Sequence, residues 1–437
     1  MNIHAFTHKS FIEVCILLRQ TTQSVHTRTL FGEQLKHKHF AVLSSLVLML
    51  GGAISPGFST AEPTGGVVKS GSGSINSAGL TDTKVITVKQ TSLAPLVIHW
   101  DSFNVGLNET VTLNWNNPFR SGDTFTFSGL SSGALLNYQR MAYERPIGSP
   151  GMQLGVSYAQ MQYRLGEGAE SLQAHGSLGQ QTVWLDYPWL KNTRQQFKTR
   201  IQYEYMDPAD HQDASNLKTD RNLRIFTVST NHENADTFMR GGLNQWSMEL
   251  AHGQTGFSNT VAAANDEVTA RTAGRFTKVN LRGYRNQAIN PLFSLSLSMD
   301  GQWAQKNLDA TQKFSLGGLR SVRAYEAGAL SADTCIFSSV ELRMLLPQPD
   351  DNWNIQGQWY ASVFWDKAVA RVNQNPWTDK SNDAYLHGTG LALYWQGPNE
   401  WRATVSLGKS LGVTSSLLNS ADALHKTAWL ELAKGWR

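Results

Sequence analysis

The stretch from Leu292 to Trp303 reads LFSLSLSMDGQW and decides the fold class. Apolar and polar side chains alternate along it, which is the two-residue period of a β-strand with unlike faces. The apolar face carries Phe293, Leu295, Leu297, Met299 and Trp303. The polar face carries Ser294, Ser296, Ser298, Asp300 and Gln302. The stretch therefore predicts a strand that separates an apolar environment from an aqueous one.

The same alternation recurs along most of the chain. Fifteen segments show it, at 109–116, 123–130, 134–144, 151–164, 168–187, 194–206, 219–232, 237–251, 273–284, 292–303, 339–346, 358–366, 385–396, 401–408 and 425–436. Many exceed the roughly five to six residues of a soluble strand and suit a tilted strand that crosses a bilayer. The apolar set changes phase between Tyr158 and Met161, which predicts a β-bulge. Periodicity favours a membrane barrel and leaves a soluble all-β domain or a β-helix as alternatives.

Composition excludes several other classes of protein. The 437 residues carry 38 Lys and Arg against 34 Asp and Glu, a formal net charge of +4, which is too small to indicate a nucleic-acid partner. Mean hydropathy is −0.33, which argues against a bundle of apolar transmembrane helices. With Cys15 and Cys335 alone, neither a disulfide framework nor a cysteine-rich zinc site is predicted.

The first 61 residues have the pattern of an export signal. A basic stretch at 36–39 precedes the apolar run Ala41–Ile54, and small residues follow at 59–61. The run is short of the roughly 20 residues that a spanning helix needs, so we predict an extended signal peptide over 1–61. An uncleaved membrane anchor is the alternative.

Residues 62–108 contain a second recognisable motif. Residues 100–106 read WDSFNVG, and the match lies in Trp100, Ser102, Phe103, Asn104 and Gly106. The motif resembles the W-x-S-F-N-[IV]-G signature of the secretion domain in filamentous-haemagglutinin-type exoproteins. This resemblance implies an exoprotein-like β segment over 62–108. A generic surface segment rich in Gly and Ser is the alternative.

The most informative motif is FSLGGLRSVRAY at residues 314–325. Together with NPF at 117–119, YERPIG at 143–148 and DYP at 186–188, it resembles the haemolysin secretion/activation proteins, the outer-membrane transporters of two-partner secretion. The resemblance covers roughly residues 112–437. It implies an all-β fold, a transmembrane antiparallel β-barrel of about 16 strands, with a long loop folded into the lumen. The loop residues that carry the motif are Gly317, Gly318, Val322, Arg323, Ala324 and Tyr325.

Two expectations concern this loop. A guanidinium in a lumen is held best by a bidentate carboxylate, and the resemblance points to Asp366, on the polar face of its strand, as the partner of Arg323. A solvated Arg323 is the alternative. Downstream, residues 328–333 read GALSAD where the family pattern is G-E-x-x-G-D. This departure predicts that the descending limb of the loop is less ordered.

The resemblance also implies a function. We expect an outer-membrane pore of a Gram-negative cell that exports a large haemolysin- or adhesin-type exoprotein without nucleotide hydrolysis. Its expected partners are that exoprotein, outer-membrane lipid and the barrel assembly machinery. We predict no enzyme, catalytic residue, metal or cofactor. The triplet Gly408-Lys409-Ser410 lacks the preceding glycine of a phosphate-binding loop, because Ala403 stands at that position.

The chain departs from the family pattern at its start. The barrel domain is predicted over 109–437, and 62–108 is too short for the family's two periplasmic domains. We interpret the chain as a fusion of an exoprotein start to a transporter barrel, in which Leu93–Phe103 replaces the first strand. Two alternatives are a passive or non-functional barrel remnant of that fusion and a secreted adhesin-type passenger fragment.

Overall fold

The computed structural model describes residues 86–99, 106–131, 136–148, 151–165, 170–347, 356–411, 417–418 and 426–434. The predicted export signal lies outside these ranges, as do four residues of the exoprotein-like signature: Trp100, Ser102, Phe103 and Asn104. Gly106, the fifth, is the first residue of a strand.

Across the described ranges, sixteen strands form one closed antiparallel sheet, and two short strands form a separate pair. The strands are β1 (Ile86–His99), β2 (Gly106–Asn116), β3 (Thr124–Ser131), β4 (Leu136–Ile147), β5 (Met152–Arg164), β6 (Ala174–Lys191), β7 (Gln195–Gln212), β8 (Leu217–Asp236), β9 (Gly242–Phe257), β10 (Gly274–Ala288), β11 (Phe293–Ala304), β12 (Phe314–Leu316), β13 (Leu330–Ala332), β14 (Thr334–Leu345), β15 (Gln358–Arg371), β16 (Asp383–Gln396), β17 (Trp401–Ser410) and β18 (Lys426–Lys434). Strands β12 and β13 are the separate pair, and the fifteen predicted segments correspond to β2–β11 and β14–β18. The predicted barrel is confirmed.

Strand β1 closes the barrel. It pairs with β2 on one side and with the last strand, β18, on the other. Leu96–His99 lie opposite Leu430 to Thr427, so the pairing expected of a substitute first strand is present. The sheet therefore extends upstream of residue 109. Closure has a large energetic consequence, because each unpaired backbone group at a barrel edge in lipid costs several kcal/mol.

The two faces of each strand meet different surroundings. On β14, Val340 and Leu342 point outward and are exposed, whereas Ser339 and Glu341 point inward and are buried. The same apolar exterior continues around the barrel, at Val156, Val183, Ile201, Phe226, Leu250, Leu281, Val363, Leu391 and Leu407. An apolar outer band around a polar interior is the pattern of a barrel in lipid.

Among the described residues, no helix has both the length and the apolar character needed to cross a membrane.

The two ends of the barrel differ in the length of their connections. One end has tight turns, such as 192–194, 289–292 and 397–400. The other has longer connections, of which 258–273 contains the helix α1 (Thr260–Val268) and 305–333 is the long loop of the predicted motif. We call these the turn end and the loop end. Bacterial outer-membrane barrels place short turns in the periplasm and long loops outside the cell.

The Asn-Pro-Phe motif forms the turn between β2 and β3. The Asn117 side chain accepts a hydrogen bond from the Gly122 amide at 2.6 Å. The buried Asp123 carboxylate accepts from the Arg120 amide at 3.0 Å and from the Tyr143 hydroxyl at 2.7 Å. Asn117 of the motif therefore closes the turn, and Asp123 ties it to β4.

Replacing Asp123 by alanine is expected to lower the free energy of unfolding by about 1–3 kcal/mol, because two donors lose a buried acceptor. Urea titration of the protein in lipid vesicles measures this. The control is Asp213→Ala, since Asp213 is exposed and contacts His175 at 3.4 Å; its expected cost is below about 1 kcal/mol. Equal effects of the two substitutions would contradict the role given to Asp123.

The predicted bulge between Tyr158 and Met161 is wrong. Strand β5 pairs with β4 and β6 in continuous register through both positions. Tyr158 is 52% exposed on the outer face, whereas Met161 is 1% exposed on the inner face. The apolar pattern changes phase because apolar side chains move from the outer to the inner face of a regular strand near the loop end.

Candidate functional site in the barrel lumen

The loop 305–333 leaves β11, folds back against the inner wall and returns to β14. Its limbs pair as β12 and β13, so the prediction of a less ordered descending limb is wrong: backbone pairing of 314–316 with 330–332 needs no particular side chains. Apolar loop residues then pack on inward-facing residues of β14–β16. The cluster comprises Leu316, Val322, Ala324, Tyr325, Leu330, Phe337, Ala368, Ala384 and Leu386.

Two glycines start the loop tip. Gly317 and Gly318 both have φ of +96°, a conformation that side chains disfavour. A Cβ on Gly317 would also lie 2.1 Å from the carbonyl oxygen of Glu326, across the tip. The Gly318 amide donates to the carbonyl of Tyr325 at 2.9 Å, which closes residues 318–325 into a compact tip.

Arg323 and Asp366 make a bidentate contact. The Nε and Nη2 atoms of Arg323 each lie 2.9 Å from one carboxylate oxygen, and the Arg323 amide donates to the same group at 3.0 Å. Asp366 is fully buried, and Arg323 is 6% exposed. Two planar groups that meet in this way fix both the position and the orientation of the tip.

Three further wall residues complete the surroundings of the guanidinium. Glu341 accepts from Nη1 at 2.8 Å, and the Ser339 hydroxyl accepts from Nη2 at 3.0 Å. The Phe364 ring lies beneath it, with 3.4 Å between the Arg323 Cζ and the ring centroid. Burial alone would lower the pKa of Arg323, but the hydrogen bonds to Asp366 and the charge of Glu341 outweigh burial and raise that pKa. The guanidinium therefore stays charged.

The backbone of the tip is bound by side chains of the last strand, β18. The carbonyl oxygen of Arg323 accepts hydrogen bonds from the Thr427 hydroxyl at 2.5 Å and from the Trp429 indole at 2.7 Å. Both donors belong to β18, which pairs with β1 at the closure of the barrel. The tip thus connects β14 and β15 to the last strand.

Glycines on β16 and β17 allow the loop tip to lie close to the barrel wall. A Cβ on Gly388 would lie 2.6 Å from the Cβ of Ala324, and a Cβ on Gly408 would lie 2.8 Å from the Arg323 carbonyl oxygen. The glycine of the Gly408-Lys409-Ser410 triplet therefore provides room for the tip.

The sequence patterns point to only some of the residues in this site. Val322, Ala324 and Tyr325 are buried at the tip, and Asp366 lies against Arg323. Glu341 and Phe364 were not named, although both stand on the polar face of their strands. An aromatic residue on a polar face was a usable signal. Thr427 and Trp429 carried none, because their contact is to a backbone oxygen.

The other family motifs meet elsewhere in the lumen. Arg200 contacts Asp186 through two hydrogen bonds of 2.6 and 2.7 Å and lies 3.6 Å from Glu144. The Trp184 indole donates to Glu144 at 3.0 Å and lies under the Arg200 guanidinium. The motifs at 143–148 and 186–188 therefore contribute carboxylates to a single buried arginine.

Comparison with known proteins identifies the family of the chain. The model of the haemolysin secretion/activation protein family ShlB/FhaC/HecB matches residues 106–363, more than half of the chain. The chain belongs to this family. Its members are transporters of two-partner secretion, and the matched range contains the loop tip together with Glu341.

A curated relative and two solved structures are similar to this family member. The heme/hemopexin transporter protein HuxB of Haemophilus influenzae (strain 86-028NP) is 25% identical over 323 residues, 73% of this chain and 55% of the relative. The chain thus spans about half the length of the curated relatives it matches. Two solved structures share the fold. CdiB from Escherichia coli has a TM-score of 0.61 and 16% identity, and the match covers 81% of this chain and 68% of that one. CdiB from Acinetobacter baumannii has a TM-score of 0.60 and 17% identity, and the match covers 80% of this chain and 60% of that one.

Proposed function

We propose that this chain is the membrane-embedded export pore of a two-partner secretion system in the outer membrane of a Gram-negative cell. The observation that carries the proposal is the arginine-tipped loop bound to Asp366 inside a closed barrel. Export through it uses no nucleotide, since an unfolded exoprotein is drawn outward as it folds at the cell surface.

The site also suggests a path for the exported chain. The tip contacts the neighbouring strands β14 to β18, so the proposed path for the exported chain runs along the inner faces of β2 and β3. Hydroxyl and amide side chains cover those faces, including Asn114 and Thr126, which share a hydrogen bond of 2.9 Å. An extended chain can pass such uncharged groups without binding them tightly.

Domain organisation and partners follow from the same proposal. Residues 1–61 direct export, 62–108 contribute β1 from an exoprotein-like start, and 109–437 supply the rest of the pore. The barrel assembly machinery inserts the strands, and lipid covers their apolar band. The passenger is a large exoprotein of the haemolysin or adhesin type.

A secretion assay tests the proposal. The chain is expressed with an exoprotein that carries the W-x-S-F-N-[IV]-G signature and is encoded in the same genome, and surface or released exoprotein is quantified. We expect export that depends on the chain and on Arg323. A folded, heat-modifiable barrel in the outer membrane that exports nothing would overturn the proposal and favour a passive or non-functional barrel. A secreted adhesin-type fragment is disfavoured by the closed barrel.

A further inference from the structure

Four outward-facing side chains of neighbouring strands form one row toward the loop end of the barrel. The pairing of β7 with β8 puts Tyr205 opposite Arg224, and on β9 Gln254 lies opposite both Arg224 and Arg275. We call Tyr205, Arg224, Gln254 and Arg275 the arginine row. Arg224, Gln254 and Arg275 are exposed. Because adjacent strands lie about 4.8 Å apart, the backbones of the two arginines are separated by about 10 Å.

The arginine row lies where the apolar outer band of the barrel ends. On β9 the exposed residues Trp246, Met248 and Leu250 belong to that band, and Gln254 follows Trp246 by eight residues. Along a strand tilted by about 40°, that distance is a rise of about 20 Å. The band of an outer-membrane barrel is about 25 Å tall, with aromatic residues such as Trp246 at its borders. The row therefore lies at the level of the lipid headgroups in the leaflet at the loop end.

The two arginines of the row have no partner within the described part of the chain. Neither guanidinium makes a hydrogen bond or an ion pair there. The outward carboxylates of Asp207 and Asp220 lie farther toward the loop end, and Asp220 contacts His211 at 3.2 Å. By contrast, Arg371 of β15, exposed at the same end of the barrel, is paired with Asp383 at 3.3 Å. The row thus presents two uncompensated cations at headgroup level, where anionic lipid is attracted to arginine.

Apolar side chains continue from the row into the lipid band. Phe226 lies two residues below Arg224 on β8, and Leu250 lies four residues below Gln254 on β9; both are exposed. Such a surface packs against acyl chains, while the row above it binds the charged headgroup. A phosphorylated lipid therefore meets complementary groups at both levels, whereas a phosphate ion meets only the arginines.

We propose that the arginine row is a binding site for the phosphate groups of an outer-leaflet lipid. In a Gram-negative outer membrane this lipid is lipopolysaccharide, whose lipid A moiety carries phosphates on a sugar backbone. Arg224 and Arg275 bind phosphate through bidentate hydrogen bonds, and Gln254 and Tyr205 supply uncharged donors beside them. The site rests on the outer-membrane location in the proposed function, but it requires neither an exoprotein nor transport.

Titration of the purified full chain in detergent with lipid A, followed by native mass spectrometry, tests the site. We expect Arg224→Gln and Arg275→Gln each to weaken binding roughly fivefold, and the double variant roughly 25-fold, because an arginine at an anionic lipid surface contributes about that factor. The matched control is Arg371→Gln, which is expected to bind lipid A as the unchanged protein does. Lipid A without its phosphates is expected to bind the unchanged protein as weakly as intact lipid A binds the double variant.

Heat-modifiability on a gel establishes that each variant is folded. Unchanged binding in the folded double variant would overturn the site, as would equal binding of lipid A without phosphates or an equal loss in Arg371→Gln. If the double variant does not fold, the two single variants decide by the same criterion. Displacement of lipid A by an equal concentration of inorganic phosphate would reject the lipid as the ligand. Loss of exoprotein secretion with intact lipid A binding would reject the proposed function and leave the site standing.

Discussion

Arg323→Ala and Asp366→Ala are each expected to lower the free energy of unfolding by about 3–5 kcal/mol, because each leaves a buried charge without its partner. The double variant is expected to cost much less than the sum of the two, since neither charge then remains. Urea titration in lipid vesicles measures all three values. The bidentate geometry and the complete burial of Asp366 are the physical reasons for this strong coupling.

A surface arginine of the same loop is the matched control. Arg320 contacts Glu431 at 3.4 Å, and its side chain is 65% exposed. Arg320→Ala is expected to cost less than about 1 kcal/mol, since water screens an exposed pair. Additive effects of Arg323→Ala and Asp366→Ala, with a coupling energy near zero, would show that the two residues do not act as a unit.

Gly408→Val is expected to displace the tip while leaving every charged partner in place. The new Cβ would lie 2.8 Å from the Arg323 carbonyl oxygen and 3.0 Å from the Ala324 Cα. Both atoms are backbone, so the tip itself must move. Trypsin added to intact cells is expected to cut the displaced loop at its arginines, at a rate roughly tenfold higher, because local opening exposes the backbone.

The control for this experiment is another strand glycine. A Cβ on Gly283 of β10 meets nothing within 4 Å, so Gly283→Val is expected to leave the loop protected. If Gly408→Val resists trypsin as the unchanged protein does, the tip does not depend on the room left by Gly408. If Gly283→Val is cut as fast as Gly408→Val, the effect comes from strand glycines in general.

The two loop attachments differ in how far sequence could predict them. Arg323 stands in a recognisable motif, and the family resemblance points to Asp366, which the alternation along its strand places on the polar face. Glu341 could have been found by the same reasoning. The hydrogen bond of Arg221 to Asp309 near the start of the loop follows from no comparable pattern: the two residues are 88 positions apart, and Arg221 is one of many arginines on alternating strands.

The phase change in β5 illustrates the limit of periodicity. Alternation predicts one apolar face per strand, so the change of phase near Met161 predicts a bulge. The strand is regular, and two apolar faces succeed each other along it, one toward lipid and one toward a buried cluster inside the barrel. A hydrophobic pattern reports that a side chain avoids water, not which apolar surface it meets.

The sequence by itself determined the barrel, its strand count from residue 109 onward, the loop motif and the family, because a two-residue period and a local motif are properties of neighbouring residues. Only the tertiary structure decided that residues 86–99 close the sheet, that β18 binds the tip backbone and that Leu308 packs in a buried apolar cluster inside the barrel. These contacts join residues far apart in the chain, and closure of the barrel is what brings them together.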